Sequence, residues 1–212
     1  MASALVEPLL DHLVLATRDL EQTVSDFTAA TGIRPVEGGR HEQFGTRNYL
    51  VALGPLAYLE IAGPDADNPM PAAKLPFGMG AVRGSRLLTW SVRPPSLEAA
   101  VRAAAAEGVD LGPIRTVGRV TPAGSELNWR IAAAEPAPYD GLVPFLLDWG
   151  TTRHPAESGL PTVELLDFRA THPRPAEVAG VLAALGVSLL IEPGKTTLEA
   201  TVAGPAGTYL MR

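Results

Sequence analysis

The chain contains no cysteine, which excludes disulfides, a thiolate nucleophile and any zinc site built on sulfur. It has no surplus of positive charge either. Its 17 basic and 23 acidic residues give a net charge of −6, so the charge balance draws it toward neither nucleic acid nor an anionic membrane. Lysine occurs only at Lys74 and Lys195 while arginine is frequent, a pattern of genome composition rather than of function. No apolar run approaches the roughly 18–20 residues of a membrane span. The opening MASALVEPLL lacks a basic segment followed by a long apolar stretch, so no secretory leader is expected. Together these absences predict a cytoplasmic protein with no nucleic-acid or membrane partner. What is present is apolar: 46% of the 212 residues are hydrophobic and 19% are charged, which rules out disorder for most of the chain and suffices for a real core.

An internal repeat organises that material. Three segments run in one order, an apolar strand, a helix, a Gly-aliphatic stop and further strands: LLDHLVLATRDLEQTVSDFTAATGI, SRLLTWSVRPPSLEAAVRAAAAEGV and VELLDFRATHPRPAEVAGVLAALGV. His12 to Gly32, Leu88 to Gly108 and Leu166 to Gly186 are each 20 residues apart, a recurrence that marks one supersecondary unit used three times. Asp19 and Ser96 are placed as helix N-caps, Gly32 and Gly108 as C-terminal stops, and Pro175 and Gly186 bracket the third helix.

Each helix is followed by strand patterns. They are Arg34–Glu37, Arg47–Leu53 and Leu56–Ala62 in the first unit, Ile114–Val120, Glu126–Ala132 and Leu142–Trp149 in the second, and Val187–Glu192, Thr197–Val202 and Thr208–Arg212 in the third. Each unit therefore reads βαβββ, and the fold class is α+β. Paired units would close curved mixed sheets around a cavity with the helices outside. Residues 1–150 hold two such modules, about 9–62 and 85–150, and residues 161–212 a third, degenerate unit packing on the pair. The stretch Gly63–Gly84, with four prolines, predicts a loop lying over an opening, and Thr151–Pro161 a hinge.

The segments DHLVLATRDL, GGRHEQFGTRNYLVALG and YLEIAGPD of the first unit, with SRLLTWSV, EGVDLGP and LVPFLLDWG of the second, resemble the vicinal oxygen chelate superfamily, in its glyoxalase-like branch. The resemblance covers about residues 9–150 well and the third unit weakly. It implies paired modules, a cup-shaped cavity and often one divalent metal (Mn, Fe, Ni or Zn) held by first and fourth strands. It does not fix the reaction, since isomerases, epimerases, dioxygenases and metal-free drug binders share the fold.

Alternation puts Leu10, His12 and Val14 on one face of the first strand, and Glu60 on one face with Leu56, Tyr58 and Ala62. An inward carboxylate needs a partner. His12 supplies it, either directly as a buried His–Glu hydrogen bond or through a metal. By resemblance His12 and Glu60 match first- and fourth-strand ligands, and aligning YLEI with LLDW places Asp148 opposite Glu60 as a third. The second module's first strand offers only Leu88, Thr89 and Trp90, so the expected metal set is His12, Glu60 and Asp148, and a second histidine would have to come from His41.

The polar cluster His41–Asn48 reads as a loop leading into a strand. There Thr46 and Asn48 would hydrogen-bond a small ligand and His41 would shuttle a proton, or the cluster would merely fix the turn. Arg86 and Trp90, four residues apart, predict a carboxylate clamp or a stacking site, against a core tryptophan with a rim arginine. Tyr58 offers a hydroxyl to the cavity or packs. Trp129 and Trp149 read as core, and His154 and His172, each before a proline, as solvated or turn residues. The expectation is a glyoxalase-like protein binding a small organic molecule. It would be a metal-dependent lyase, isomerase or dioxygenase with Glu60 or His41 transferring a proton, or a metal-free binding or sequestration protein. The resemblance also implies a homodimer.

Overall fold

The structure, a computed structural model, describes residues 9–212; the first eight residues, part of the segment read above for a leader, lie outside them. Local signals set the elements of the first module: β1 (Leu10–Thr17), α1 (Leu20–Thr31), β2 (Val36–His41), β3 (Thr46–Gly54) and β4 (Ala57–Pro64). The Asp19 side chain accepts from the Gln22 amide at 3.0 Å, and Gly32 closes α1 in the left-handed region at φ 75°, a conformation glycine takes without steric cost. The second module repeats the plan with β5 (Ser85–Val92), α2 (Leu97–Ala106), β6 (Arg115–Val120), β7 (Glu126–Ala132) and β8 (Phe145–Asp148). Ser96 caps α2 through the Ala99 amide.

The two modules close an eight-stranded barrel in the order β1-β4-β3-β2-β6-β7-β8-β5. Within each module the first strand lies parallel to the last, His12 beside Tyr58 and Ser91 beside Phe145. Between modules, β1 and β5 pair antiparallel along most of their length, whereas β2 meets β6 only at Arg40 and Val120. Alternation divides the apolar residues into two layers. Leu13, Leu15, Leu59 and Ile61 face outward under the helices with Val24, Phe27 and Leu97, while Val14, Ala16, Val117, Trp129 and Leu147 face the interior. The Gly63–Gly84 connector folds over one end through short 3-10 turns at Ala72–Lys74 and Pro76–Ala81, burying Leu75 and Met79. No helix among the described residues is long and apolar enough to cross a membrane.

The third unit keeps the element order, with β9 (Glu164–His172), α3 (Pro175–Ala184), β10 (Leu190–Pro193), β11 (Thr197–Gly204) and β12 (Gly207–Met211). Its pairing differs. The sheet order is β10-β9-β11-β12, with β10 parallel to β9 and β11 antiparallel to it, whereas in the modules the parallel partner of the first strand is the last. A short helix returning directly to a parallel neighbour makes a simple βαβ crossover, and a hairpin completes the sheet. This sheet covers the outer layer of the barrel: Phe168 meets Trp90 edge-on at 5.2 Å, and the Ala206 amide donates to the Thr31 carbonyl at the end of α1. The approach is close enough that a Cβ on Gly204 would meet the Thr31 oxygen at 2.3 Å.

Candidate functional site

The barrel interior holds a cavity of about 290 Å³. Its wall is divided chemically along the module boundary. His12, His41, Thr46, Asn48, Tyr58 and Glu60, all from module one, form a polar corner. Module two contributes Val117, Trp129, Ile131, Phe145, Leu147 and Trp149, an apolar and largely aromatic wall. The exceptions there are Arg115 and Arg119 on β6 and Glu135 beyond β7. The connector adds Leu75, Phe77 and Met79 above, with Phe77 stacked on Phe145 at 4.8 Å.

Glu60 is the centre of the polar corner. Asn48 Nδ2 donates to its Oε1 at 2.5 Å, His12 Nε2 lies 3.5 Å from Oε2, and His41 Nε2 lies 3.9 Å from Oε1. The parallel β1–β4 register also stacks the His12 ring on Tyr58 at 4.6 Å. Behind His12 stands a second carboxylate. A bulge at Asp11, where the β1–β5 register shifts between Leu10 and His12, turns its side chain into the wall, fully buried. Asp11 Oδ1 is 2.6 Å from His12 Nδ1, and its Oδ2 accepts from Trp149 Nε1 at 2.8 Å and lies 3.2 Å from His154 Nε2. Arg93 completes this set with an ion pair at 2.9 Å. His12 is thus held between two carboxylates.

Those contacts set the charges. Burial pulls His12 toward neutrality, but its bonds to Asp11 and Glu60 prevail and raise it to about 9. Burial opposes ionisation of Glu60, yet His12, His41 and Asn48 bring it down to about 2. For Asp11 the same contest, won by the His12 and His154 bonds, holds the carboxyl below the usual range. His41 goes the other way: burial lowers it to about 4, with Glu60 opposing and the charges of Arg119 and His12 assisting. Burial likewise raises the Tyr58 hydroxyl well above its ordinary value. At neutral pH the corner is therefore an imidazolium between two carboxylates, with a neutral imidazole opposite.

A family model described as a glyoxalase-like domain matches residues 10–186. The chain belongs to the glyoxalase-like family. It is thereby a member of the vicinal oxygen chelate superfamily, whose mixed α+β fold of curved sheets is the one described above. A hypothetical protein from Staphylococcus aureus, at 13% identity, superimposes with a TM-score of 0.61 over 96% of this chain and 85% of its own; that likeness shows the fold, third unit included. Methylmalonyl-CoA epimerase from Mycobacterium tuberculosis matches at 21% identity over 69% of this chain and 90% of its own, with a TM-score of 0.41. A mutant 4-hydroxymandelate synthase from Streptomyces coelicolor matches at 12% identity over 97% and 62%, with a TM-score of 0.48. Neither of these two informs the reaction of this chain. No curated protein matches it.

In this glyoxalase-like barrel the expected residues divide into two groups. His12, His41, Thr46, Asn48, Tyr58 and Glu60 converge on the cavity; His41 ends β2 rather than standing in a loop. Asp148, Arg86 and Trp90 do not reach it. Asp148 pairs across β7 with Arg130 and salt-bridges it at 3.2 Å on the outer surface, because Leu147 and Trp149 take the inward positions. The YLEI-to-LLDW alignment is one residue out of phase. A second bulge, at Leu88 on β5, puts Arg86 and Trp90 on opposite faces: Leu88 turns inward, Trp90 is buried in the outer layer donating to the Leu142 carbonyl at 2.8 Å, and Arg86 is exposed. His154 and His172, expected as solvated or turn residues, are 5% and 6% exposed, and each accepts from the amide two residues on, Ala156 and Arg174, within a turn.

The loss of Asp148 decides the metal question for the expected ligand set. Module two presents Leu88 and Leu147 where ligands would stand, and His12 Nε2 is directed at Glu60. Among the described residues no group of three His, Cys, Asp or Glu side chains is arranged to hold a metal ion. The residues present do not fit the divalent ion that the superfamily implies. Asp11 and Arg119 were missed in the sequence. Alternation along Arg115–Val120 would have flagged Arg119, whereas Asp11 turns inward only because of the bulge.

Proposed function

We propose that this glyoxalase-like chain is a metal-independent binding protein for a small, partly apolar organic molecule. The observation that carries this reading is the division of the cavity wall, polar chiefly from module one and apolar chiefly from module two, with Arg115, Arg119 and Glu135 as the charged exceptions. A ligand with one polar end and one apolar body satisfies both halves, whereas a chelated substrate needs ligands on both. A cavity of about 290 Å³ takes a small organic molecule. The ionisation pattern supports binding over acid–base turnover. A group that transfers protons at neutral pH works best with a pKa near 7, while Glu60, His41 and His12 stand at about 2, about 4 and about 9. In this reading Glu60 and His41 contact the ligand and do not move its protons.

The test is one preparation measured two ways. Tag-free protein purified without chelators is assayed for metals by inductively coupled plasma mass spectrometry, then titrated with 4-ethylphenol while the indole N–H resonances of Trp129 and Trp149 are followed by NMR. The expected result is saturable shifts of both resonances in protein carrying no stoichiometric metal. Near-stoichiometric Mn, Fe, Ni or Zn whose removal abolishes the shifts would overturn the reading in favour of metal-dependent lyase, isomerase or dioxygenase chemistry.

A further inference from the structure

Arg119 is 6% exposed, yet no carboxylate lies within ion-pair distance of it among the described residues. Its Nη1 donates to the Gly38 carbonyl across the narrow β2–β6 seam, and the residue lines the cavity. A buried arginine is ordinarily paired, because an isolated charge loses its hydration with nothing in return. Nothing among the described residues plays that part here. Lys74 and Arg115 stand exposed on the same lining, so three cations besides the His12 imidazolium face two carboxylates, Glu60 and Glu135. Both carboxylates are engaged, Glu60 with His12 and Asn48, Glu135 with the Phe77 amide. The cavity of a chain whose net charge is −6 therefore carries an unneutralised positive wall.

We infer that the ligand is a small organic carboxylate with an apolar body, its carboxylate seated on the Arg119 guanidinium and its body against Trp129. This inference rests on the cavity-binding reading above. Planar guanidinium donors match a carboxylate in a two-pronged geometry. In the β6–β7 ladder Val117 pairs with Trp129 and Arg119 with Leu127, so the guanidinium and the indole are diagonal neighbours on one face. That spacing suits a carboxylate attached through a short link to an aromatic or branched aliphatic group.

The test compares two probes of one shape, phenylacetate and phenylacetamide, by isothermal titration and by the Trp129 and Trp149 indole shifts. A charged partner for a buried guanidinium predicts that the acid binds about 10- to 100-fold more tightly than the amide. Arg119→Met abolishes that preference while Arg119→Lys keeps part of it; should Arg119→Met fail to fold, the acid-to-amide ratio in the unmodified protein decides alone. Equal affinity for acid and amide overturns the carboxylate assignment and leaves the cavity reading intact. If neither probe binds, nor 4-ethylphenol, both are overturned.

Discussion

The two histidines of the cavity should give folding stability a maximum near pH 6.5, with one arm belonging to each. His12 rises from an ordinary 6.5 to about 9 in the folded protein. Between those values the folded state holds a proton that the unfolded chain has released, so stability is fully present below 6.5 and is lost as pH rises through 9. His41 falls from 6.5 to about 4. Between those values the unfolded chain binds a proton that the folded state refuses, so this contribution is fully present above 6.5 and is lost as pH falls through 4. At about 1.4 kcal/mol per pKa unit, each arm is worth about 3 kcal/mol. Both side chains are buried, at 4% and 7% exposure, so solvent screening takes little of it. Urea unfolding at half-unit intervals from pH 4 to 9 reads the curve directly. His12→Gln should flatten the alkaline arm and, because burial is the larger cause of the lowered His41 and the His12 charge only assists, leave most of the acid one; His41→Gln should flatten the acid arm. An alkaline arm of full height in His12→Gln would refute the assignment of the imidazolium between Asp11 and Glu60. The lowered Glu60 adds a further loss only below about 4.5, its ordinary value.

Two substitutions test the geometry more simply. Asp148→Asn should cost less than about 1 kcal/mol in urea unfolding, the value of a solvent-facing ion pair, and leave 4-ethylphenol affinity unchanged; a tenfold loss of affinity would return Asp148 to the site. Gly38→Ala places a Cβ 2.4 Å from Asn48 Oδ1 and 2.7 Å from Arg119 Nη1, so it should cost about 1–3 kcal/mol through overpacking and weaken the binding of both probes, and an unchanged melting temperature would refute the contact.

The elements were legible because their signals are local. Asp19 and Gly32 announce the ends of α1 through capping chemistry confined to a few residues, and the 20-residue recurrence announces the modules. Period-two alternation then sorts side chains correctly only while the pleat is unbroken. In β1 the bulge at Asp11 sends Leu10 to the outer layer although it shares parity with His12, and in β5 the bulge at Leu88 separates Arg86 from Trp90. A bulge is fixed by pairing with a strand some 75 residues away, and nothing in the local pattern marks it. The same holds for the third unit, whose βαβββ order is readable while the partner of each strand is a long-range choice.

The Asp11 cluster explains why the polar corner can be rigid without a metal. His154 reads as a connector residue, but its Nδ1 accepts from the Ala156 amide within a capped 3-10 turn while its Nε2 reaches Asp11. Trp149, just past β8, donates to the same carboxylate, and Arg93, just past β5, pairs with it. Two segments distant in sequence, Arg93 and residues 149–154, thus converge on Oδ2 of one buried carboxylate, whose Oδ1 orients His12. A bound metal would ordinarily supply such orientation through its own coordination geometry, with a carboxylate behind the histidine as support. Here the supporting carboxylate is present and Glu60 occupies the position in front. The His12 ring is therefore fixed from both sides before any ligand arrives, which removes the ordering cost that binding would otherwise incur. A preorganised corner facing a largely apolar wall, with the Arg119 guanidinium beside it, is the arrangement a binding cavity needs.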